Sequence, residues 1–175
     1  MANLFTTSGL AKVSAVRSSL PSLPETADEL RTMAGILGGD NSDLFLRERA
    51  TERHIKSAAL DKYRVLAFAT HGLVAGELKG LAEPALVLTP PRVASAEDDG
   101  LLTASEVATL KLNADLVILS ACNTAAADGT PGADALSGLT KAFFFAGART
   151  LLVSHWPVAS GAAVKLTTRM LSETS

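Results

Sequence analysis

The run Asp115-Leu-Val-Ile-Leu-Ser-Ala-Cys-Asn-Thr124 constrains this chain more than any other stretch, because Leu116 to Leu119 offer no polar residue to either face of a strand. A strand with one face in water alternates apolar and polar residues, so an unbroken run predicts a strand covered on both faces, as in a parallel sheet. Val65-Leu-Ala-Phe-Ala69 and the run from Arg149 to Ser154 have the same character. Three such runs separated by helical patterns predict an α/β fold, with helices on both sides of a mostly parallel sheet and right-handed crossovers between strands. Loops converge and ligands bind at the carboxyl edge of such a sheet. Cys122 follows one of these strands, and His71-Gly72 follows another.

The connecting segments carry helix punctuation. Thr26-Ala-Asp-Glu29 and Thr103-Ala-Ser-Glu106 both have the spacing of a capping box, in which hydroxyl and carboxylate satisfy the free amides of a helix start. Leu30, Met33, Ala34 and Leu37 follow the first box at helical spacing, and Gly38-Gly39 supplies the stop. A second helix is predicted from about Thr51 to Leu60 with Ile55, Ala58 and Ala59 inward, and the helix opened by Thr103 ends before Asn113. A fourth runs from about Asp134 to Ala146, burying Leu136, Leu139, Phe143 and Phe144 and closed by Gly147, and a last one covers about Ala162 to Leu171. Asp43–Leu46 and Ala85–Thr89 read as short strands, and the polar segment from Arg92 to Gly100 reads as exposed. Residues 1–22 form an N-terminal segment or linker and residues 23–175 a single domain.

Composition narrows the function. With 175 residues, 47% of them hydrophobic, the chain can bury a core of its own. Lys and Arg number 16 against 18 Asp and Glu, so no electrostatic case exists for nucleic acid or a membrane surface. One cysteine forms no internal disulfide and no zinc pair, which predicts no metal and a reducing, cytoplasmic setting. No apolar run approaches the ~18 residues that span a bilayer. No Gly-rich phosphate loop opens a helix after a strand, which removes a flavodoxin-like nucleotide binder.

His71 and Cys122 stand 51 positions apart, each after an apolar strand. If those strands are parallel neighbours, both side chains reach one sheet edge. A cysteine attacks a carbonyl as the thiolate, and an adjacent imidazole can take its proton and later return it to the leaving amine. Gly72 has no Cβ to keep its amide from a developing oxyanion, and the Cys122 amide would be the second donor. By itself, a cysteine at a strand end is more often a small buried hydrophobe; the paired His-Gly strand end changes that balance. His155 also ends a buried strand and is the competing base, His54 lies on a charged helix facing water, and Trp156 is either a core aromatic or a groove contact. Glu77, Asp128 and Asp134 sit in loops near the same edge, where they would make an acidic pocket for a basic side chain or remain surface carboxylates. Lys79 and Arg92 have that status toward an acidic one.

Four runs carry a family resemblance: FATHGL (68–73), DGLLTASEV (99–107), LVILSACNT (116–124) and AFFFAGARTLLVSHWPV (142–158). Together they resemble a CHAT domain, a caspase-like family related to caspases and separase and often found in bacteria behind TPR repeats. The resemblance implies a three-layer α/β/α caspase-like fold and a cysteine endopeptidase that works through a thioester, with His71 and Cys122 as the dyad and no cofactor. It implies a substrate groove flanked by His155 and Trp156, with Glu77 and Asp128 nearby, and activation by a TPR region or a partner protein in the same chain or another. Caspase-like domains begin with a buried strand in the middle of the sheet, and residues 1–22 contain no such run. The expectation is a sheet lacking its first strand, or one completed by a second copy as a homodimer. The other reading is a non-catalytic interaction or scaffold domain, against which His71, Gly72 and Cys122 stand together.

Overall fold

Two three-stranded sheets organise the computed structural model, which describes residues 20–78, 80–120, 137–153 and 169. Strands β1 (Val65–Ala69), β5 (Leu116–Ser120) and β6 (Leu151–Val153) make a parallel sheet in the order β1-β5-β6. Strands β2 (Gly72–Leu73), β3 (Ala85–Val87) and β4 (Leu101–Thr103) make a separate antiparallel sheet in chain order. β5 takes the central position, with Val117, Ile118 and Leu119 buried, as its unbroken apolar run requires. β1 and β6 flank it and are mostly half-buried, because each has a strand neighbour on one side only among the described residues.

Helices cover both faces of the parallel sheet. Helix α1 (Thr26–Leu37) packs Met33 against Ile118, with Val65, Ala67, Leu116 and Leu152 around them. On the other face, helix α4 (Ser137–Ala146) sets Leu139, Ala142, Phe143 and Ala146 into a larger core with Phe68, Val117 and Leu119. The rings of Phe68 and Phe143 lie 5.4 Å apart. Helices α2 (Glu52–Ser57) and α3 (Ala104–Val107) complete that core with Ile55 and Val107, together with Leu86 and Leu102 of the second sheet. The result is the three-layer α/β/α arrangement expected of a caspase-like fold.

Charge ties the amino ends of the three parallel strands together. Asp115, just before β5, pairs with Arg64, just before β1, and takes a 2.7 Å bond from Arg149, which precedes β6. Asp115 is held below the usual carboxylate range by the Arg64 guanidinium first and by Arg149 in addition.

Several local expectations change. Leu44 to Leu46 form no strand; single 3-10 turns at Asn41–Asp43 and Arg47–Arg49 bracket them, the first closed by a capping box between Asp40 and Asp43. The second helix stops at Ser57 rather than Leu60, and Ala59 is exposed. Phe144 is exposed rather than buried, because Leu139 and Phe143 already fill the stripe facing the core. Asp98 is buried inside the segment expected to be exposed. The box at Thr103 and Glu106 forms as predicted, and the one at Thr26 and Glu29 does not. Thr26 is the first helical residue, its hydroxyl donates to the Leu23 carbonyl at 2.8 Å, and Glu29 turns into the interior. Leu136 and, apart from the exposed helical Arg169, the predicted last helix lie outside the described residues.

Candidate functional site

β1 and β5 are adjacent and parallel, in the register Ala69↔Ser120. Ala69 stands two residues before His71, and Ser120 two residues before Cys122. The two strand ends that carry the sequence-predicted imidazole and thiol therefore finish level with each other. Cys122 itself, with His155, Trp156, Asp128, Asp134 and Lys79, lies outside the described residues.

The chain bends sharply after β1. The Thr70 hydroxyl donates to the Val87 carbonyl, and the Val87 amide donates to the His71 carbonyl at 2.9 Å, so the bend is pinned to β3 on both sides of His71. The His71 ring is half-buried, and its Nε2 lies 2.8 Å from the Pro21 carbonyl oxygen. A carbonyl only accepts, so Nε2 must carry the hydrogen and the neutral ring keeps its lone pair on Nδ1. That is the tautomer a general base needs, with one nitrogen anchored and the other free to take a proton. The anchor is a backbone atom of the segment that leads into α1.

Gly72 follows in β2, opposite Leu86. Because the flanking His71 carbonyl takes the Val87 amide, Gly72 and Leu86 form the non-hydrogen-bonded pair of the ladder. The Gly72 N–H accordingly points away from β3 rather than into the sheet. Glu77, expected in a substrate pocket, accepts the Val74 amide at 2.9 Å and so closes the turn after β2. Arg92 is exposed, and so is His54, whose Nδ1 donates to the Arg49 carbonyl at 2.7 Å.

Two contributors escape sequence reasoning. The Pro21 carbonyl has no side-chain signature. Glu29 did have one, but its pattern pointed to a helix cap; the residue is 1% exposed instead, and burial pushes its carboxyl up. A cavity of about 920 Å³ runs along β1 from Tyr63 to His71, walled by Leu30, Met33 and Phe45. No group of three or more His, Cys, Asp or Glu among the described residues is placed to hold a metal ion, and no helix among them is long and apolar enough to cross a membrane.

A family model described as the CHAT domain matches residues 6–175. This chain belongs to the CHAT domain family. The CHAT domain is a caspase-like family, which agrees with the parallel sheet and its flanking helices. The chain is also similar to tetratricopeptide repeat protein 28 of Mus musculus, 47% identical over 58 residues that make up 33% of this chain and 2% of that protein. The matched stretch is thus a small part of a long relative whose name carries the TPR repeat. No solved structure matches.

Proposed function

We propose that this CHAT domain is a cysteine endopeptidase in which Cys122 is the nucleophile and His71 the general base and acid. The observation that carries the reading is the β1–β5 register, which brings the residues two before His71 and two before Cys122 opposite each other. The His71 tautomer and the outward Gly72 amide support it.

In the proposed reaction, Nδ1 of His71 takes the thiol proton and the Cys122 thiolate attacks the carbonyl carbon of a peptide bond. The carbonyl oxygen becomes an oxyanion that the Gly72 and Cys122 amides hold. As the tetrahedral intermediate collapses, the C–N bond breaks and the imidazolium gives its proton to the leaving amine, leaving a thioester on Cys122. Water then adds to the thioester, its proton passing to His71, and the new carboxyl terminus departs as the thiol is restored. The Pro21 carbonyl stabilises the imidazolium in both halves through the Nε2 hydrogen.

His155, Trp156, Glu77 and Asp128 belong to the substrate groove in this reading, and a TPR region or activating protein arranges its loops. A peptide library offered to the full-length protein, to Cys122→Ala and to His71→Ala tests it. Cleavage by the first alone is the expected result; cleavage that survives in Cys122→Ala would refute it.

A further inference from the structure

The Pro21 carbonyl that meets His71 belongs to no helix or strand, so its place depends on what holds residues 20–24. Pro21 and Pro24 each fix their own φ and confine the residue before them, Leu20 and Leu23, to extended backbone. The segment is therefore stiff, and its two ends position what lies between them. At one end the Leu23 carbonyl accepts the Thr26 amide at 3.3 Å and the Thr26 hydroxyl at 2.8 Å, which ties the segment to the start of α1. At the other end the hold is a side chain. Half-buried Leu20 packs on the small core formed by Leu73, Leu81, Ala85, Val87 and Leu101.

That core also backs the bend that carries His71. Leu73 lies two residues after His71 and is 1% exposed, and the Val87 amide bonds the His71 carbonyl from β3 at 2.9 Å. The backbone of His71 and the anchor of its ring partner thus share one frame, the second sheet. Helix α1 packs instead on the parallel sheet, through Met33 and Ile118. Without the Leu20 contact, the Pro21 carbonyl would be carried by α1 alone and placed by the other sheet. Leu20 has no polar side-chain atom to offer a ring nitrogen, so its effect on His71 must pass through Pro21.

We propose that Leu20 is a positioning residue for His71: its packing on the core of the second sheet keeps the Pro21 carbonyl at Nε2, and with it the hydrogen on Nε2 and the free pair on Nδ1. The consequence for catalysis rests on the dyad reading, whereas the hold on the ring does not. Leu78 supplies the control, since it packs half-buried against the same core from the loop after β2. The full-length protein would be compared with Leu20→Ala, Leu20→Ile, Leu78→Ala and His71→Ala, each checked for folding by its thermal transition. Two quantities are measured: exchange of the His71 Nε2 hydrogen with water, by nitrogen-resolved NMR, and turnover of a peptide that the wild type cleaves in the library screen.

In Leu20→Ala the exchange should quicken about fivefold or more, because the hydrogen exchanges when its bond opens and the closed state has lost the burial of half a leucine. The kcat should fall by about that factor or more with KM little changed, since the base loses its orientation while the groups that bind substrate stay in place. Leu20→Ile keeps the volume and should match wild type, and Leu78→Ala should keep wild-type exchange. Wild-type exchange in folded Leu20→Ala would overturn the inference, as would equal quickening in Leu78→Ala. An undiminished kcat in Leu20→Ala, where His71→Ala abolishes turnover, would overturn it too. Turnover that survives in His71→Ala would overturn the dyad itself, which separates the two failures.

Discussion

His71 donates its Nε2 hydrogen to the carbonyl of Pro21 at 2.8 Å, binding the end of β1 to the segment that enters α1. The bond requires the Nε2–H tautomer in the resting protein. Nitrogen chemical shifts of His71 should show a protonated Nε2 and a bare Nδ1; the opposite assignment would remove the basis for Nδ1 as the base.

Gly72 is predicted to matter through its amide rather than its backbone freedom. It is not among the glycines with positive φ, so an alanine meets no conformational penalty there. Gly72→Ala, checked for folding by its thermal transition, should lower turnover about tenfold by crowding the oxyanion. Unchanged turnover in a folded Gly72→Ala would remove this amide from the mechanism.

Glu52 is the structural counterpart of Glu29. Its buried carboxylate accepts the Asp99 and Gly100 amides at 2.6 and 2.5 Å and pairs with Lys56, which also reaches Glu106 at 2.7 Å. Removing it strands two backbone donors and takes one of two carboxylates from the partly buried Lys56 ammonium, so Glu52→Ala should cost about 2–5 kcal/mol in urea unfolding. A loss under about 1 kcal/mol would mean those groups find other partners.

The pH dependence of stability separates the two carboxyls. Burial raises Glu29 above its ordinary value of 4.5, so the native state holds a proton that the unfolded chain has released. Stability therefore falls as pH rises from that value toward the raised native one. Glu29→Gln cannot ionise; it should lose this part of the slope and exceed wild type at neutral pH. Glu52, also pushed up by burial against Lys56 and its two amides, leaves a residual slope of the same sign. Unfolding by urea at stepped pH measures both, and a Gln variant with the wild-type slope would contradict the assignment.

What the sequence revealed depended on whether one residue pattern had one structural meaning. β5 was legible because an unbroken apolar run has few homes other than a covered strand. The two Thr-x-x-Glu patterns show the limit. Thr103 and Glu106 form the box, with Thr103 Oγ1 accepting the Glu106 amide. Thr26 and Glu29 have the same spacing, but the helix begins one residue earlier, and Glu29 falls on the stripe facing the sheet. Leu44 to Leu46 look like a strand until the flanking 3-10 turns take up the backbone. β4 was hidden because Thr103 ends the strand and caps the next helix, so the helical signal dominates the reading. The Pro21 carbonyl could not be seen at all, since any residue supplies one.

β1 has β5 as its strand neighbour among the described residues, and the 920 Å³ cavity lies along it. A homodimer that completes the sheet is the expected outcome, with light scattering giving twice the chain mass. A stable monomer with full activity would exclude that arrangement.

The dyad is tested most directly by labelling the full-length protein with peptide acyloxymethyl ketone probes, with and without its activating partner, and locating the adduct by mass spectrometry. The account predicts a covalent adduct on Cys122 that disappears in Cys122→Ala and in His71→Ala. An adduct that persists undiminished in His71→Ala, or none on Cys122 under any activating condition, would contradict it.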